Sequence, residues 1–422
     1  MYEKSALNNG LKVITHFMPK ACSSSLGIWI KTGGRYESAE NKGIAHFLEH
    51  LLFKGTKKYS CRQIKEEIEG KGGHLNGFTS EELTCYLVKL PSQYLNLALE
   101  ILADMVLNPL LKDQDIEKER SVILEEIKMY KDQPQSYVYE LLDALLWPNQ
   151  ALGEPVIGTF DSVNKIKRED LLKFKENYYQ PQNMIISACG YLKHKDLIKK
   201  IKKIFPSLRR QSINKFLPAQ EKQTKPQLKI FPKDTEQTHL ALGFHGFSRI
   251  HPLRFALGLL HVILGANMSS RLFNEVREKK GLAYEIGTGL KYFQDTGAFI
   301  VHAGIDNQKI NAAVDLILKE LKKIKKELIS QDEFRRAKEF YLGQLLLSLE
   351  DTLDHMLWIG ESTATLDRVY SYKDILKEIN RLSRQDIKNV AQYLFKEEKL
   401  NLALIGPLED KSEEIFSQLK LN

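Results

Sequence analysis

The chain has 422 residues, a length that predicts two or three domains at about 150 residues each. With 43% hydrophobic and 27% charged residues, its composition is typical of a soluble globular protein and excludes disordered, collagen-like and disulfide-rich classes. The longest nearly apolar stretch, 255–266, is shorter than the ~20 residues needed to cross a bilayer, so we predict no membrane span.

The charge and the cysteines narrow the class of protein further. The net charge is +8, but the lysine runs at 199–203 and 322–326 alternate with apolar residues, as on solvated helix faces, so we expect no nucleic-acid partner. The 4 cysteines are scattered without a Cys-x-x-Cys pair, which is typical of reduced thiols. Residues 1–20 show no targeting pattern, and we therefore predict a cytoplasmic location.

The predicted elements follow the chain in two similar series. In the first, strands are predicted at 11–15, 25–31, 84–90 and 184–190, and helices at 42–53, 60–69, 95–107, 113–130 and 168–178. In the second, strands are predicted at 239–244, 299–305 and 401–405, and helices at 252–264, 269–279, 309–328 and 331–350. Because strands and helices do not alternate singly, we predict an α+β sandwich, with helices packed on one face of a mostly antiparallel sheet.

Matches at a constant offset predict that the two series arose by internal duplication. Segments 168–171 and 184–190 match segments 384–387 and 400–406, with an offset of 216 in residue number for both (384 − 168 and 406 − 190). Leu26-Gly27 matches Leu242-Gly243 at the same offset. We therefore predict two homologous domains, 1–210 and 228–422, joined within the polar stretch 208–229.

The predicted helix at 42–53 carries a pattern typical of metal binding. His46 and His50 are four residues apart and lie on one helix face, where two imidazoles can bind one zinc ion. Glu49 flanks that face, where a carboxylate can take a proton from a water that the metal acidifies. Two histidines packed on an apolar face are the alternative, but His-x-x-Glu-His would arise by chance only about 0.04 times in such a chain.

A zinc site of this type needs a third protein ligand, and the predicted helix at 113–130 offers carboxylates. Glu119 and Glu126 are seven residues apart, two helical turns, and therefore share a face among apolar neighbours. A carboxylate in such surroundings must be paired or bound to a metal if it is buried. From this helix alone, a solvated acidic stripe explains the pattern equally well.

The motif and its spacing resemble those of the insulinase/pitrilysin/mitochondrial-processing-peptidase family of zinc metallopeptidases. The His-x-x-Glu-His order is the inverzincin motif, and Glu126 follows His50 at an interval of 76 in residue number (126 − 50). Three further segments resemble the substrate strand, the second metal helix and the Arg-x6-Tyr element of that family: 71–79, 117–127 and 277–284. One departure is Gly77, where the family usually has alanine, and we expect it to matter little.

The resemblance implies a metal site in the first half of the chain. His46, His50 and Glu126 would bind one zinc ion per chain, Glu49 would be the general base, and Glu119 would steer a ligand or complete the site. Glu126 rather than Glu125 is expected as the ligand, because Glu125 lies about 100° round the helix. The offset of 216 maps the metal motif onto Val262, Gly265 and Ala266, so the second half is expected to bind no metal.

The resemblance also implies substrate-binding residues. Asn76 would hold the substrate backbone, and Arg277 and Tyr284 would contact the substrate and polarise the scissile carbonyl from the opposite half of a chamber. For Arg277 and Tyr284, the alternative is an ion-paired helix arginine and a core tyrosine.

The implied function is that of a zinc-dependent endopeptidase, which cleaves peptides or unfolded segments inside a closed chamber while Glu49 activates a zinc-bound water. Two-domain members of the family pair with a second copy or a paralogue, so we expect a homodimer or heterodimer. Two alternatives are a non-catalytic partner subunit of a peptidase complex and a dedicated processing peptidase for one specific peptide. The intact ligand set argues against the first, whereas the second would use the same residues.

Overall fold

The computed structural model describes residues 2–205, 215–408 and 411–421. The chain folds as two units, each built from three segments. Unit 1 comprises Met1–Lys128, Pro155–Leu217 and Leu346–Val369, and unit 2 comprises Met129–Glu154, Pro218–Leu345 and Tyr370–Asn422. The predicted domain boundary at residue 210 lies outside the described residues.

The described residues form eleven strands and fifteen α-helices. The strands are β1 Tyr2–Ala6, β2 Lys12–Phe17, β3 Ser23–Ile30, β4 His74–Thr79, β5 Thr84–Pro91, β6 Met184–Gly190, β7 Gln227–Pro232, β8 Gln237–His245, β9 Ala283–Tyr292, β10 Gly297–Asp306 and β11 Asn401–Gly406. The helices are α1 Ile44–Leu52, α2 Cys61–Glu69, α3 Leu95–Leu107, α4 Asp113–Asp132, α5 Pro134–Leu146, α6 Phe160–Lys165, α7 Arg168–Tyr178, α8 His194–Ile204, α9 Arg254–Leu264, α10 Ile310–Lys326, α11 Gln331–Ser348, α12 Thr352–Leu366, α13 Tyr372–Arg381, α14 Arg384–Leu394 and α15 Ser412–Gln418. Within the described ranges, no helix combines the length and the apolar character that a bilayer span requires.

Unit 1 is built on a six-stranded sheet in the order β1-β2-β6-β3-β5-β4. Every neighbouring pair is antiparallel except β2 and β6, so the predicted α+β class with a mostly antiparallel sheet is confirmed. The central strands β3 and β6 are buried almost throughout, as expected when both sheet faces are covered. One face packs against helices such as α3, and the other packs against α12. The prediction that helices pack on one face of the sheet therefore describes only part of the packing in unit 1.

Unit 2 repeats the strand order of unit 1 in its five-stranded sheet, β7-β11-β8-β10-β9. Here too one pair, β7 and β11, is parallel and the others are antiparallel. Register refines the predicted repeat: Cys189 pairs with Ser25, and Ile405 pairs with His239. The paired residue numbers sum to 214 in unit 1 (25 + 189) and to 644 in unit 2 (239 + 405), so the offsets of the two strands add up to 430 (644 − 214). A shift of 216 for both strands would require 432, so the predicted shift of 216 cannot hold for both strands at once.

Each half of the chain contributes one helix to the other half's sheet. Helix α12, from the second half, packs on unit 1, where Met356 and Ile359 join a buried cluster with Trp29. Helix α5, from the first half, packs on unit 2, where Val138 and Leu142 join the corresponding cluster. The predicted continuous domains, 1–210 and 228–422, do not include this exchange.

Helix α12 is fixed to unit 1 by polar contacts at both ends. Asp351 caps its first turn by accepting hydrogen bonds from the Leu353 and Asp354 backbone N–H groups, and it pairs with Lys89 at 2.5 Å. Beyond the last turn, Asp367 pairs with Lys4 at 2.6 Å and Lys12 at 2.7 Å.

The middle of α12 approaches the sheet closely at a glycine. A Cβ atom at Gly360 would collide with the indole nitrogen of Trp29 and lie 2.6 Å from Ser187 Oγ. Those two side chains are joined by a 2.8 Å hydrogen bond from Trp29 Nε1 to Ser187 Oγ inside the core. The glycine therefore lets the helix lie against a buried tryptophan whose N–H is satisfied.

This close approach predicts opposite effects for two helical glycines. Gly360→Ala should lower the free energy of unfolding by about 1–3 kcal/mol, because the added methyl group overpacks the core. Gly343→Ala is the matched control in α11, since a Cβ there meets nothing within 4 Å and alanine favours a helix by up to ~1 kcal/mol. Denaturant unfolding of both variants measures the difference, and a Gly360→Ala protein as stable as the unmodified chain would contradict this packing.

Candidate metal centre

Helix α1 is positioned by its N-terminus and its apolar face. The carboxylate of Glu37 accepts hydrogen bonds, each 2.9 Å long, from the backbone N–H groups of Gly43 and Ala45. Gly43 has φ 87°, and a Cβ there would lie 2.5 Å from the carbonyl oxygen of Ile157. The apolar residues of the helix are buried: Ile44, Ala45, Phe47, Leu48, Leu51 and Leu52. His46 and His50 consequently share the partly exposed face.

Helix α4 is tied to α1 by an arginine. Arg120 donates hydrogen bonds to the carbonyl oxygens of Val163 and Ile166, and its guanidinium carbon lies 5.4 Å from the ring centroid of Phe47 on α1. Ile116, Ile123 and Ile127 are the buried apolar residues of α4. This packing directs Glu119 and Glu126 toward the two histidines.

The structure brings together the three predicted ligands. One ligand atom each from His46, His50 and Glu126 lies within 4.8 Å of the others, and the two imidazole centroids are 4.5 Å apart. His50 Nε2 lies 3.7 Å from Glu126 Oε2, on the side of the ring opposite Glu119. The neighbouring Glu125 instead points to solvent with 70% of its side chain exposed and pairs with Lys128 at 2.6 Å.

Glu119 fixes the ring orientation of His50. Its Oε2 atom lies 3.2 Å from His50 Nδ1, so this nitrogen donates and Nε2 is left for a metal ion. Burial alone would raise the pKa of Glu119, but its hydrogen bonds with His50 and Lys54 outweigh that effect and lower the pKa. Glu119 therefore remains a carboxylate at neutral pH and accepts the hydrogen bond from His50 Nδ1.

The donor set fits a zinc ion. Burial, followed by the nearby His50, lowers the pKa of His46 to about 3, so its imidazole is neutral and has a lone pair to donate. In the part of the chain that is described, His46 Nδ1 is buried and forms no hydrogen bond. Two imidazoles and one carboxylate are a set that leaves a fourth tetrahedral position open, as in catalytic zinc sites.

Glu49 lies beside this donor set as a buried carboxylate. Its exposed fraction is 8%, and its Oε2 atom accepts a 2.9 Å hydrogen bond from Thr79 Oγ1. Burial raises the pKa of Glu49, although the Thr79 hydrogen bond opposes the rise. A carboxylate with a raised pKa binds a proton more strongly than an ordinary glutamate, which suits a general base. The sequence assigned no role to Thr79; its place two residues after Gly77 on β4 was the available signal.

Strand β4 alternates between two faces, and Asn76 lies on the face away from Glu49. A Cβ at Gly77 would lie 3.1 Å from Glu49 Oε1, and Thr79 bonds the same carboxylate, so these two positions face α1. The Asn76 side chain is on the opposite face, where its Oδ1 accepts a 2.8 Å hydrogen bond from the Gly77 N–H. The Cβ of an alanine at position 77 would also lie 3.0 Å from the Phe53 ring, so glycine leaves Phe53 and Glu49 slightly more room.

Arg277 and Tyr284 belong to unit 2. Arg277 lies in the π-helical segment Phe273–Glu278, with its guanidinium carbon 4.7 Å from the Phe273 ring centroid. Tyr284 lies near the start of β9 and is 76% exposed, so the core-tyrosine alternative is wrong.

Comparisons with known proteins find zinc proteases that are similar to this chain over most of its length. Residues 12–160 match the family model of insulinase (peptidase family M16), and residues 165–341 match that of the peptidase M16 inactive domain. A zinc protease of Bacillus subtilis is 35% identical over 407 residues, which cover 96% of this chain and 98% of that protein. A zinc protease of Streptomyces coelicolor is 34% identical over 414 residues, covering 97% and 90% respectively. The crystal structure of a protease from Helicobacter pylori matches with a TM-score of 0.92 and 27% identity over 96% of this chain and 100% of that chain.

Proposed function

Since the chain belongs to the insulinase family of zinc proteases, peptidase family M16, we propose that it is a zinc-dependent endopeptidase acting on peptides or unfolded segments. The observation that carries the proposal is the convergence of His46, His50 and Glu126 beside the buried carboxylate of Glu49. This complete set supports an active peptidase over a non-catalytic partner subunit. One zinc ion per chain is proposed, because the equivalent sequence positions in the second half hold no ligand residues.

Each residue of the site has a separable task in this proposal. When bound, zinc would lower the pKa of a coordinated water far below its bulk value, to about 7. Glu49 accepts a proton from the attacking water and returns it to the leaving amine. Thr79 orients the carboxylate through Oε2, and Glu119 keeps His50 in the tautomer that presents Nε2.

Glu49→Gln separates the general base from the ligands. The amide keeps the shape and can still bond Thr79, but it cannot accept the proton, so kcat should fall at least about 100-fold. The zinc content should stay that of the unmodified chain, because Glu49 is not a ligand in this proposal. Peptide cleavage and metal analysis on the same sample check both expectations. Near-normal cleavage by Glu49→Gln would show that the base lies elsewhere.

We also propose that the chain acts as a dimer, either with a second copy or with a paralogue, and that its substrate chamber forms between protomers. The exposed Tyr284, on a half without metal ligands at the equivalent positions, supports a role in which Tyr284 and Arg277 contact substrate at the partner's zinc site. A cytoplasmic location is part of the same proposal, since all four cysteines are free thiols.

Complementation tests whether the sites are shared between protomers. Glu49→Gln protein and Arg277→Ala/Tyr284→Ala protein should each be inactive alone. After subunit exchange, a mixed dimer has one site with both an intact base and an intact Arg277/Tyr284 pair, so activity should rise well above the sum of the separate samples. Labelled subunits verify the exchange. Fully exchanged mixtures that stay inactive, or a fully active monomer, would refute sharing in trans.

A further inference from the structure

Lys54 lies next to the candidate metal centre and forms an ion pair with Glu119. Lys54 follows α1, and its position four residues after His50 brings it to the same side as the histidines. Its ammonium nitrogen lies 2.5 Å from Glu119 Oε1. The other carboxylate oxygen of Glu119 faces His50 Nδ1 at 3.2 Å. Glu119 thus bridges Lys54 and His50, with one oxygen for each.

The burial of this bridge makes the lysine consequential. The side chain of Glu119 is only 8% exposed, whereas that of Lys54 is 32% exposed. A carboxylate that is nearly removed from water needs a cationic or hydrogen-bonding partner at each oxygen, or its burial becomes costly. The imidazole N–H satisfies one oxygen, and Lys54 supplies both the partner for the other oxygen and the compensating positive charge.

The distribution of charge around the site also indicates that Glu119 needs a cationic partner. Three carboxylates, those of Glu49, Glu119 and Glu126, approach the two imidazoles. In the proposed function Glu49 acts on the attacking water and Glu126 binds the metal. Glu119 does neither, so its negative charge must be balanced by a cationic group of the protein. Removing Lys54 would leave Glu119 Oε1 without its cationic partner, and a Glu119 side chain that turned toward water would no longer accept from His50 Nδ1.

We propose that Lys54 is a positioning residue for zinc binding: it holds the Glu119 carboxylate against His50 Nδ1 and so presents His50 Nε2 to the metal. This inference rests on the proposed function, because it assumes that His50 is a zinc ligand. It assigns Lys54 no contact with substrate. A purely structural role, in which Lys54 only joins the end of α1 to α4, is the competing explanation.

Zinc affinity, measured by competition with a chromophoric chelator, tests the inference on the full-length chain. Lys54→Met should weaken zinc binding about tenfold, at the low end of the 10–100-fold typical of residues that support a ligand. Lys54→Arg should keep most of the affinity, because it retains the charge and the donors. Lys58→Met removes the same charge at an exposed position in the following turn and should bind zinc normally.

A double-mutant cycle with Glu119→Gln separates positioning from a structural effect. In the Glu119→Gln background, Lys54→Met should cause no further loss of zinc affinity, because the two residues act through one carboxylate. A cooperative unfolding transition in the metal-free Lys54→Met protein, as in Lys58→Met, shows that the loss of zinc affinity is not a loss of the fold. Unchanged zinc affinity in Lys54→Met, or an equal loss in both backgrounds, would overturn the inference while leaving the proposed function intact. An unmodified chain that binds no zinc would instead overturn the proposed function, and this inference with it.

Discussion

Two imidazoles and a carboxylate can bind one metal ion only if α1 and α4 hold their ligand atoms within a few ångström, and the His50–Glu119 hydrogen bond spans that gap. The surrounding contacts serve the same alignment. Glu37 caps α1, and the guanidinium of Arg120 on α4 lies over Phe47. Because the site lies between two packed helices rather than on a loop, its ligand atoms share the rigidity of the core.

The two units share a strand order but differ in their chemistry. Each unit is built on a sheet of the same strand order. Helices α5 and α12 are exchanged, so the second face of each sheet is covered by a helix from the other half of the sequence. Neither half of the chain can therefore complete both faces of its own sheet. Among the described residues, the candidate metal-binding cluster lies in unit 1, and residues 165–341 match the family model of the peptidase M16 inactive domain.

The sequence predicted those features that depend on local periodicity. A spacing of four placed His46 and His50 on one face, and a spacing of seven aligned Glu119 with Glu126, because both spacings follow the helical repeat. Contacts between elements could not be predicted in this way. The Thr79–Glu49 hydrogen bond joins a strand to a helix, and the packing of α12 on β3 joins a helix in the last quarter of the chain to a strand near its start. The family resemblance predicts that Asn76 contacts substrate. The face of β4 on which its side chain lies could be assigned only from the contacts of Gly77 and Thr79 in the structure.

Glu126 is the proposed third ligand of the metal centre, and the zinc content per chain of two adjacent variants tests this assignment most directly. Glu125→Gln and Glu126→Gln are the same chemical change one residue apart on α4, and only Glu126 faces His50 Nε2. We predict about one zinc per chain in Glu125→Gln, as in the unmodified protein, and a large loss of zinc in Glu126→Gln. Full zinc occupancy in Glu126→Gln together with loss of zinc in Glu125→Gln would contradict the account.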